Sequence, residues 1–309
     1  KRVNSMRLNH QQFSDLFKMQ RLVLDEQDIE QIISSKIAIA GLGGIGSYLV
    51  EFLARNGFVN LNIADFDVFE ADNYRQLNMT AQTLGKNKCV VTEKRVKNIF
   101  PKASIKSFLD GINISNYDEF CSEVNVVCAQ TDRITSQVLL YLGAFNNKTV
   151  LVRAGRAKWP DKHAVRASVY DFRKSKGKFC LELLNINPTQ WGVNDKNLLN
   201  ELIKKAEKHE NDQELIDSIE KQNLLYRKKS FKKHVREFGS EGISDKPKNY
   251  LKKVIKNHGD KFFEMSITPE LCAVSASLVT TAVKDIVLGR PLKDIGINLY
   301  HGKVYNYND

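Results

Sequence analysis

A glycine-rich turn near the start of the chain could bind phosphate. Gly41, Gly43, Gly44 and Gly46 follow the apolar run at residues 37–40 and open an amphipathic helical pattern. Glycines permit a tight turn, and the backbone N–H groups at a helix N-terminus can hold phosphate oxygens. The pattern predicts a nucleotide site, but it does not distinguish ATP from NAD, and a strand-to-helix turn without a ligand is the alternative.

Two acids end the next strand pattern. Asp65 and Asp67 close the segment NLNIADFD. An acid at this place accepts hydrogen bonds from the ribose hydroxyls of a nucleotide, in NAD enzymes and elsewhere. Either acid could instead cap a helix or stabilise a turn. An NAD-dependent oxidoreductase therefore stays open at this point.

Three further polar groups follow in order. They are Asn73, Arg75 and Gln76, then Gly85 and Lys88, then Thr131 and Asp132. Arg75 offers a planar donor fork to phosphate and Lys88 a compact positive charge. Asp132 follows the buried strand pattern VNVVCAQ, where open α/β sheets bind ligands, and could hold Mg²⁺ together with phosphate oxygens.

Each of these residues also has a structural alternative. Arg75 could form a surface salt bridge, and the stem of Lys88 could cover an apolar surface. Lys86 lies close enough to Lys88 in sequence to take its role. Asp132 could cap the helix that follows it.

The five groups together, in this order and spacing, resemble the ThiF/MoeB/HesA superfamily of E1-like adenylyltransferases. The resemblance covers residues 21 to about 155 well and the C-terminal helix loosely. It implies that ATP binds at the glycine turn and the two strand-end acids, with Asn73, Arg75, Gln76 and Lys88 on the phosphates and Mg²⁺ on Asp132. It implies activation of a carboxylate, such as a peptide or ubiquitin-like protein C-terminus, as its acyl-adenylate with release of pyrophosphate.

The resemblance also implies a homodimer. In the family an arginine near the N-terminus reaches the phosphates, often from the neighbouring protomer. Arg21 occupies the matching place, with Arg7 as a second candidate and a solvated surface arginine as the alternative.

The chain departs from the family pattern in three places. The segment NYRQ is one residue shorter than usual, which leaves the role of Asn73 open. Arg133 follows Asp132 where many members have asparagine. The zinc cysteines of many members are missing, because the chain has no CxxC pair, so we expect no zinc and a branch of the family without it.

A cysteine thioester is a further possibility, since E1 enzymes pass the activated carboxylate to a cysteine. Cys272 precedes a predicted helix, whose N-terminus would lower the pKa of the thiol. A small residue packed into the helix turn is the alternative. Cys180, at the start of the inserted region, has less to support it.

The succession of patterns predicts an α/β fold. Strand and helix alternate at the spacing of a Rossmann-like, doubly wound, mostly parallel sheet, with C-terminal antiparallel strands and a helical insertion. We expect four parts, which are N-terminal helices in 1–35, an ATP-binding domain in 36–172, a basic helical insertion in 173–262, and a C-terminal helix with strands in 263–309.

The net charge of +11 favours an anionic partner. The lysine-rich insertion could bind RNA, which would suit a tRNA-directed member of the superfamily of the threonylcarbamoyladenosine dehydratase type. Its interleaved aromatics are sparse, and a solvated helix surface is the alternative.

Composition narrows the setting and the class. We expect no membrane span and no secretory signal, and the five scattered cysteines indicate a reducing cytoplasm. An inactive partner subunit is a further alternative, but such members often lose the phosphate-site arginine or the magnesium aspartate, and this chain keeps both.

Overall fold

The computed structural model describes residues 17–156, 164–184, 196–238, 269–291, 295–298 and 303–306, together with Asp15 and Val193. Its strands form one eight-stranded sheet in the order β3-β2-β1-β4-β5-β6-β7-β8. The strands are β1 (Lys36–Ala40), β2 (Asn60–Ala64), β3 (Ser104–Phe108), β4 (Val126–Ala129), β5 (Val150–Arg156), β6 (Ala164–Asp171), β7 (Ile295–Asn298) and β8 (Lys303–Asn306).

Helices cover both faces of this sheet. They are α1 (Glu26–Ser34), α2 (Gly44–Arg55), α3 (Lys88–Ile99), α4 (Tyr117–Cys121), α5 (Ile134–Asn146), α6 (Lys196–Glu207), α7 (Gln213–Phe238) and α8 (Pro269–Val287). Short 3-10 turns occupy Gln20–Leu22, Ala71–Asn73 and Leu181–Leu184. None of the helices in the described ranges is both long enough and apolar enough to cross a membrane.

The pairing of neighbouring strands changes from parallel to antiparallel once across the sheet. The strands β3, β2, β1, β4 and β5 pair in parallel, and β6, β7 and β8 continue the sheet in antiparallel pairs. The strand order reverses between β1 and β4, because the chain moves from β1 through β2 to β3 on one side and then returns to β4 on the other. Such a reversal leaves a crevice at the carboxyl ends of the strands. The predicted mostly parallel, doubly wound sheet with C-terminal antiparallel strands is confirmed.

The central strand β1 is buried on both faces of the sheet. Ile37 and Ile39 of β1 face the layer that contains α2 and α8, whereas Ala38 and Ala40 face the layer that contains α5. All four are at most 1% exposed. A strand covered on both faces is apolar at every position, which explains the continuous apolar run in the sequence.

The first part of the predicted insertion packs against the sheet's helical layer. Leu199 and Leu202 of α6, with Ile216 and Ile219 of α7, belong to the same buried cluster as α5. The domain boundaries at residues 172 and 262 stay predictions, and the part of the insertion at residues 239–262 lies outside the described ranges.

Candidate nucleotide-binding site

A cavity of about 850 Å³ lies at the carboxyl ends of β1, β2, β4 and β5. The cavity lies where the strand order reverses between β1 and β4, and the loops after these strands line it. The predicted site residues in its lining are Gly41, Gly43, Gly44, Asp65, Asp67, Asn73, Arg75, Gln76, Lys88, Asp132 and Cys272. Residues from distant parts of the sequence thus share one cavity. Gly46 and Arg21 are not part of its lining.

The glycine turn is packed too tightly for side chains at its two ends. Gly41 has φ +90, and a Cβ there would lie 2.6 Å from the carbonyl carbon of Gln130. A Cβ on Gly46 would lie 1.8 Å from the carbonyl oxygen of Gly41. The nearest atom to a Cβ on Gly43 is 3.9 Å away, so Gly43 leaves open space on the cavity side. The turn therefore forms a cradle at the N-terminus of α2, where free N–H groups suit phosphate.

Asp65 braces this turn from β2. Its Oδ2 accepts a hydrogen bond from the N–H of Leu42 at 2.6 Å, and its Oδ1 accepts one from the N–H of Asp67 at 2.9 Å. Burial raises the pKa of Asp65, while the charge of Lys88 and the two N–H donors act in the opposite direction. Each carboxylate oxygen can accept a second hydrogen bond, so the bracing role does not prevent contact with a ribose hydroxyl.

Lys88 is a buried cation held by Asp67. The Lys88 side chain is 6% exposed, and its Nζ lies 2.9 Å from Oδ2 of Asp67, which is 48% exposed. The backbone N–H of Lys88 also donates to the carbonyl of Asp67. Lys86 is exposed and does not line the cavity, so the geometry favours Lys88 over its neighbour.

Arg75 and Gln76 reach the cavity from the segment that follows the Ala71–Asn73 turn. Nη1 of Arg75 donates to the carbonyl of Asp72 at 3.4 Å, and Nε lies 3.9 Å from the position of a Cβ on Gly44. Gln76 is 5% exposed, and its Oε1 has no hydrogen-bond partner among the described residues. Because a buried unpaired polar atom costs free energy, this amide fits a site that a polar ligand completes.

Asp132 follows β4 and is 72% exposed. Its Oδ2 lies 3.9 Å from Nη1 of Arg227 on α7. The predicted alternative, that Asp132 caps α5, is wrong, because the N-cap position is Arg133 and Glu220 of α7 accepts the N–H of Thr135.

A magnesium ion fits this arrangement only as a partner of the nucleotide. Within the described ranges no group of three or more His, Cys, Asp or Glu residues could hold a metal ion. Mg²⁺ usually takes one or two carboxylates and completes its shell with phosphate oxygens and water. Asp132 supplies an exposed carboxylate in the same cavity lining as the glycine cradle, which satisfies that requirement.

Cys272 differs from the expectation. It lies in the first turn of α8, is 0% exposed, and has its Sγ 2.9 Å from the position of a Cβ on Gly44. Burial raises the pKa of its thiol to about 11, although the charge of Arg75 acts to lower it. The expected lowering by the helix N-terminus is therefore wrong, since desolvation of the thiolate outweighs it. A nucleophilic role for Cys272 stays a prediction.

Arg21 lies away from this cavity. Its guanidinium pairs with the carboxylate of Glu26 at the start of α1. A contact between Arg21 and the phosphates would have to be made in the cavity of a second protomer, and it stays a prediction.

Several lining residues were not predicted from the sequence, and four of them are large polar side chains from β5 and α7. Arg153 projects from β5, and Asn223, Tyr226 and Arg227 come from α7. Arg153 had a signal, since it is a charged residue within the buried strand pattern TVLVRAG. The three residues of α7 carry no such signal in the sequence, because they lie in a long segment of similar charged and polar residues.

A doubly wound sheet with a phosphate-suited cradle at its strand-order reversal defines a Rossmann-like nucleotide-binding protein. The ThiF family matches residues 17–307, and the chain belongs to this family. The predicted membership of the E1-like superfamily is confirmed.

Relatives with established names cover part of the chain. The tRNA threonylcarbamoyladenosine dehydratase of Haemophilus influenzae is 30% identical over 131 residues, which are 42% of this chain and 50% of the relative. The ubiquitin-like modifier-activating enzyme 5 of Drosophila erecta is 32% identical over 136 residues, 44% of this chain and 33% of the relative. The chain thus spans half or less of the length of these curated relatives.

Solved structures show the same fold over most of the chain. MccB of E. coli, solved with ATP, aligns with a TM-score of 0.56 and 17% identity, over 90% of this chain and 65% of MccB. PaaA aligns with a TM-score of 0.60 and 13% identity, over 97% of this chain and 74% of PaaA.

Proposed function

We propose that this protein is an ATP-dependent adenylyltransferase that activates a carboxylate as its acyl-adenylate and releases pyrophosphate. One observation carries the proposal, which is that the glycine cradle, Arg75, Lys88 and Asp132 line a single cavity at the strand-order reversal. Membership of the ThiF family supports it. An NAD oxidoreductase would leave these two cations and the exposed carboxylate without a role.

We assign the binding roles as follows. Gly43 and Gly44 present the N-terminus of α2 to the phosphates, since Gly43 leaves that surface open and Gly44 leaves room for the sulfur of Cys272. Asp65 receives the ribose hydroxyls while it braces the turn. The buried amide of Gln76 gains a partner when the nucleotide is present, which removes the cost of its unpaired oxygen.

The reaction needs positioning and charge balance more than proton transfer. An oxygen of the substrate carboxylate forms a bond to the α-phosphorus, the bond from that phosphorus to the bridging oxygen breaks, and pyrophosphate leaves. Arg75 and Lys88 balance the charge that gathers on the phosphate oxygens. Mg²⁺ on Asp132 would supply further charge neutralisation for the leaving pyrophosphate.

The substrate we propose is a peptide or ubiquitin-like protein with a free C-terminal carboxylate. Two likenesses support this choice. One relative is named a ubiquitin-like modifier-activating enzyme. MccB, which shares the fold, has been solved with N-formylated MccA, at a TM-score of 0.57.

Exchange of labelled pyrophosphate into ATP tests the proposal directly. A panel of peptides with free C-termini is compared with the same peptides as C-terminal amides, and only the free acids should support exchange. Asp132→Asn should lower the exchange rate by roughly 100-fold, the usual scale for one charge-stabilising group. Asp110→Asn is the matched control, because Asp110 is exposed and does not line the cavity. Equal exchange in both variants would contradict the assignment of Asp132.

A second candidate is a tRNA-directed enzyme of the same fold. The net charge of +11 and the similarity to a tRNA threonylcarbamoyladenosine dehydratase favour it. It predicts tRNA binding that weakens steeply with salt, and a smaller salt dependence when the exposed lysines Lys204, Lys208, Lys221 and Lys229 are changed to glutamine. ATP turnover stimulated by tRNA and not by any peptide would favour this candidate over the first.

We also propose that the protein acts as a homodimer in which Arg21 completes the partner's cavity. Arg21→Ala and Asp132→Asn should each lose most of the exchange activity when present alone. Mixed dimers of the two variants should regain part of the exchange activity, because one of their two cavities has both intact residues. A mixture as inactive as its parts would contradict a shared site.

A further inference from the structure

One face of helix α7 packs against α5 and also contributes to the lining of the cavity. Ile216 and Ile219 are buried in the cluster that contains α5. Glu220, Asn223 and Arg227 follow at three- and four-residue spacing, which places them on one side of the helix. Glu220 accepts hydrogen bonds from Thr135, and Asn223 and Arg227 line the cavity. These contacts therefore place Arg227 next to the loop after β4.

The residue that Arg227 meets there is Asp132. Nη1 of Arg227 lies 3.9 Å from Oδ2 of Asp132, with side chains 32% and 72% exposed. This is the carboxylate assigned above to hold Mg²⁺. The guanidinium of Arg227 therefore lies near this carboxylate, which remains largely exposed.

The positive charge of Arg227 opposes the binding of a divalent cation at Asp132. Mg²⁺ requires carboxylate oxygens at about 2.0–2.1 Å and a nearly ideal octahedron of ligands. A guanidinium beside that oxygen would be repelled by the divalent charge and would crowd the water and phosphate ligands. Arg227 in this position therefore weakens the binding of the metal to Asp132.

We propose that Arg227 is a positioning residue that holds Asp132 in the nucleotide-free cavity and leaves it when the carboxylate takes up the divalent cation. Helix α7 then responds to nucleotide binding, because the ion pair that ties its cavity face to the β4 loop is exchanged. The inference rests on the proposed function.

The test is the Mg²⁺ dependence of binding of an ATP analogue with a methylene group between its α and β phosphates, measured by calorimetry. Arg227→Gln should bind the analogue at lower Mg²⁺, with the half-maximal concentration reduced about two- to fivefold, the scale of a partly exposed ion pair. In the Asp132→Asn background the same substitution should have no effect, since the competition needs the carboxylate.

The matched control is Lys229→Gln. Lys229 is an exposed cation on the same helix, two residues from Arg227, and does not line the cavity. Its removal changes net charge equally and should leave the Mg²⁺ dependence unchanged.

Three results would overturn the inference. A requirement of Arg227→Gln for as much Mg²⁺ as the wild type, or more, would exclude competition for Asp132. Loss of binding in Arg227→Gln at every Mg²⁺ concentration would make Arg227 a ligand of the phosphates. Failure of the wild-type protein to bind the analogue would overturn the proposed function and this inference with it, whereas either of the first two results leaves the proposed function intact.

Discussion

Glu220 of α7 caps the N-terminus of α5 through Thr135. Its Oε1 accepts the backbone N–H of Thr135 at 2.9 Å and the hydroxyl of the same residue. The first N–H groups of a helix have no partner within the helix, and a negative charge there is favourable. The cap comes from 85 residues further along the chain. The insertion thereby supports the loop that carries Asp132.

Removal of this cap should affect both stability and the nucleotide site. We expect Glu220→Ala to lower the free energy of unfolding by about 1–3 kcal/mol, because a buried N–H donor loses its acceptor. The KM for ATP should rise as the loop that carries Asp132 loses its support. Denaturant unfolding and steady-state kinetics measure the two effects. Glu214→Ala is the control, since Glu214 is exposed on the same helix, and equal behaviour of the two variants would contradict a capping role.

Two substitutions in the glycine cradle should affect folding and nucleotide binding differently. Gly43→Ala should fold with nearly unchanged stability, because the nearest atom to its new Cβ is 3.9 Å away, yet bind ATP at least about tenfold more weakly, because the methyl group covers the phosphate surface. Gly46→Ala should destabilise the protein itself, since its Cβ would lie 1.8 Å from a backbone oxygen. Thermal unfolding and nucleotide titration report the difference. Unchanged ATP affinity in Gly43→Ala would place the phosphates elsewhere.

Lys88 should be needed for ATP use and Lys86 should not. Lys88→Met removes the cation from the cavity and leaves Asp67 without this partner, but Asp67 is 48% exposed and water can solvate it. We therefore expect a loss of stability below about 1 kcal/mol and a fall in exchange rate of at least tenfold. Lys86→Met, which changes an exposed lysine outside the cavity, should keep wild-type exchange. The reverse ranking would transfer the role to Lys86.

The ion pairs around Glu51 should make stability depend on pH. Burial by itself would raise the pKa of Glu51, but hydrogen bonds from Arg95 and Arg55 outweigh it and hold the pKa below the ordinary value of 4.5. A lowered pKa means that the folded state releases its proton more readily than the unfolded state. The resulting stability is complete above pH 4.5 and is lost as the pH falls below it.

Glu51→Gln isolates this contribution. The wild type should be more stable than the variant by about 1–3 kcal/mol at neutral pH, and the difference should shrink as the pH falls below 4.5. Denaturant unfolding across that range measures it. Glu119→Gln, which changes an exposed pair with Lys106, should show little difference at any pH. If the difference in the free energy of unfolding between the wild type and Glu51→Gln stays constant with pH, the ion-pair explanation is contradicted.

Much of the cavity could be predicted from local patterns. The glycine turn, the acids after β2 and Asp132 after β4 each follow a recognisable strand. Parallel strands end at the same edge of the sheet, so residues that follow them are neighbours in space. The predicted residues that line the cavity from these loops, from Gly43 to Asp132, therefore needed no knowledge of packing.

Other features of the site depend on distances between segments that are far apart in sequence, and local patterns do not contain these distances. The burial of Lys88 beside Asp67, the raised pKa of Cys272 and the pairing of Asp132 with Arg227 all result from which surfaces face each other. A helix N-terminus close to a thiol favours the thiolate, but complete burial reverses the outcome. That balance is visible only when the neighbours of the thiol are known.

The order of residues along the chain was enough for the sheet, its nucleotide-type turn and the family, because strand and helix periodicity and turn chemistry are properties of short segments. The placement of α7 over the cavity was decided only by packing of the folded chain. Arg227 lies near Asp132 because the apolar residues of α7 pack against α5 and Glu220 accepts a hydrogen bond from Thr135. Such contacts join segments far apart in sequence, and neither segment alone carries a signal of the other.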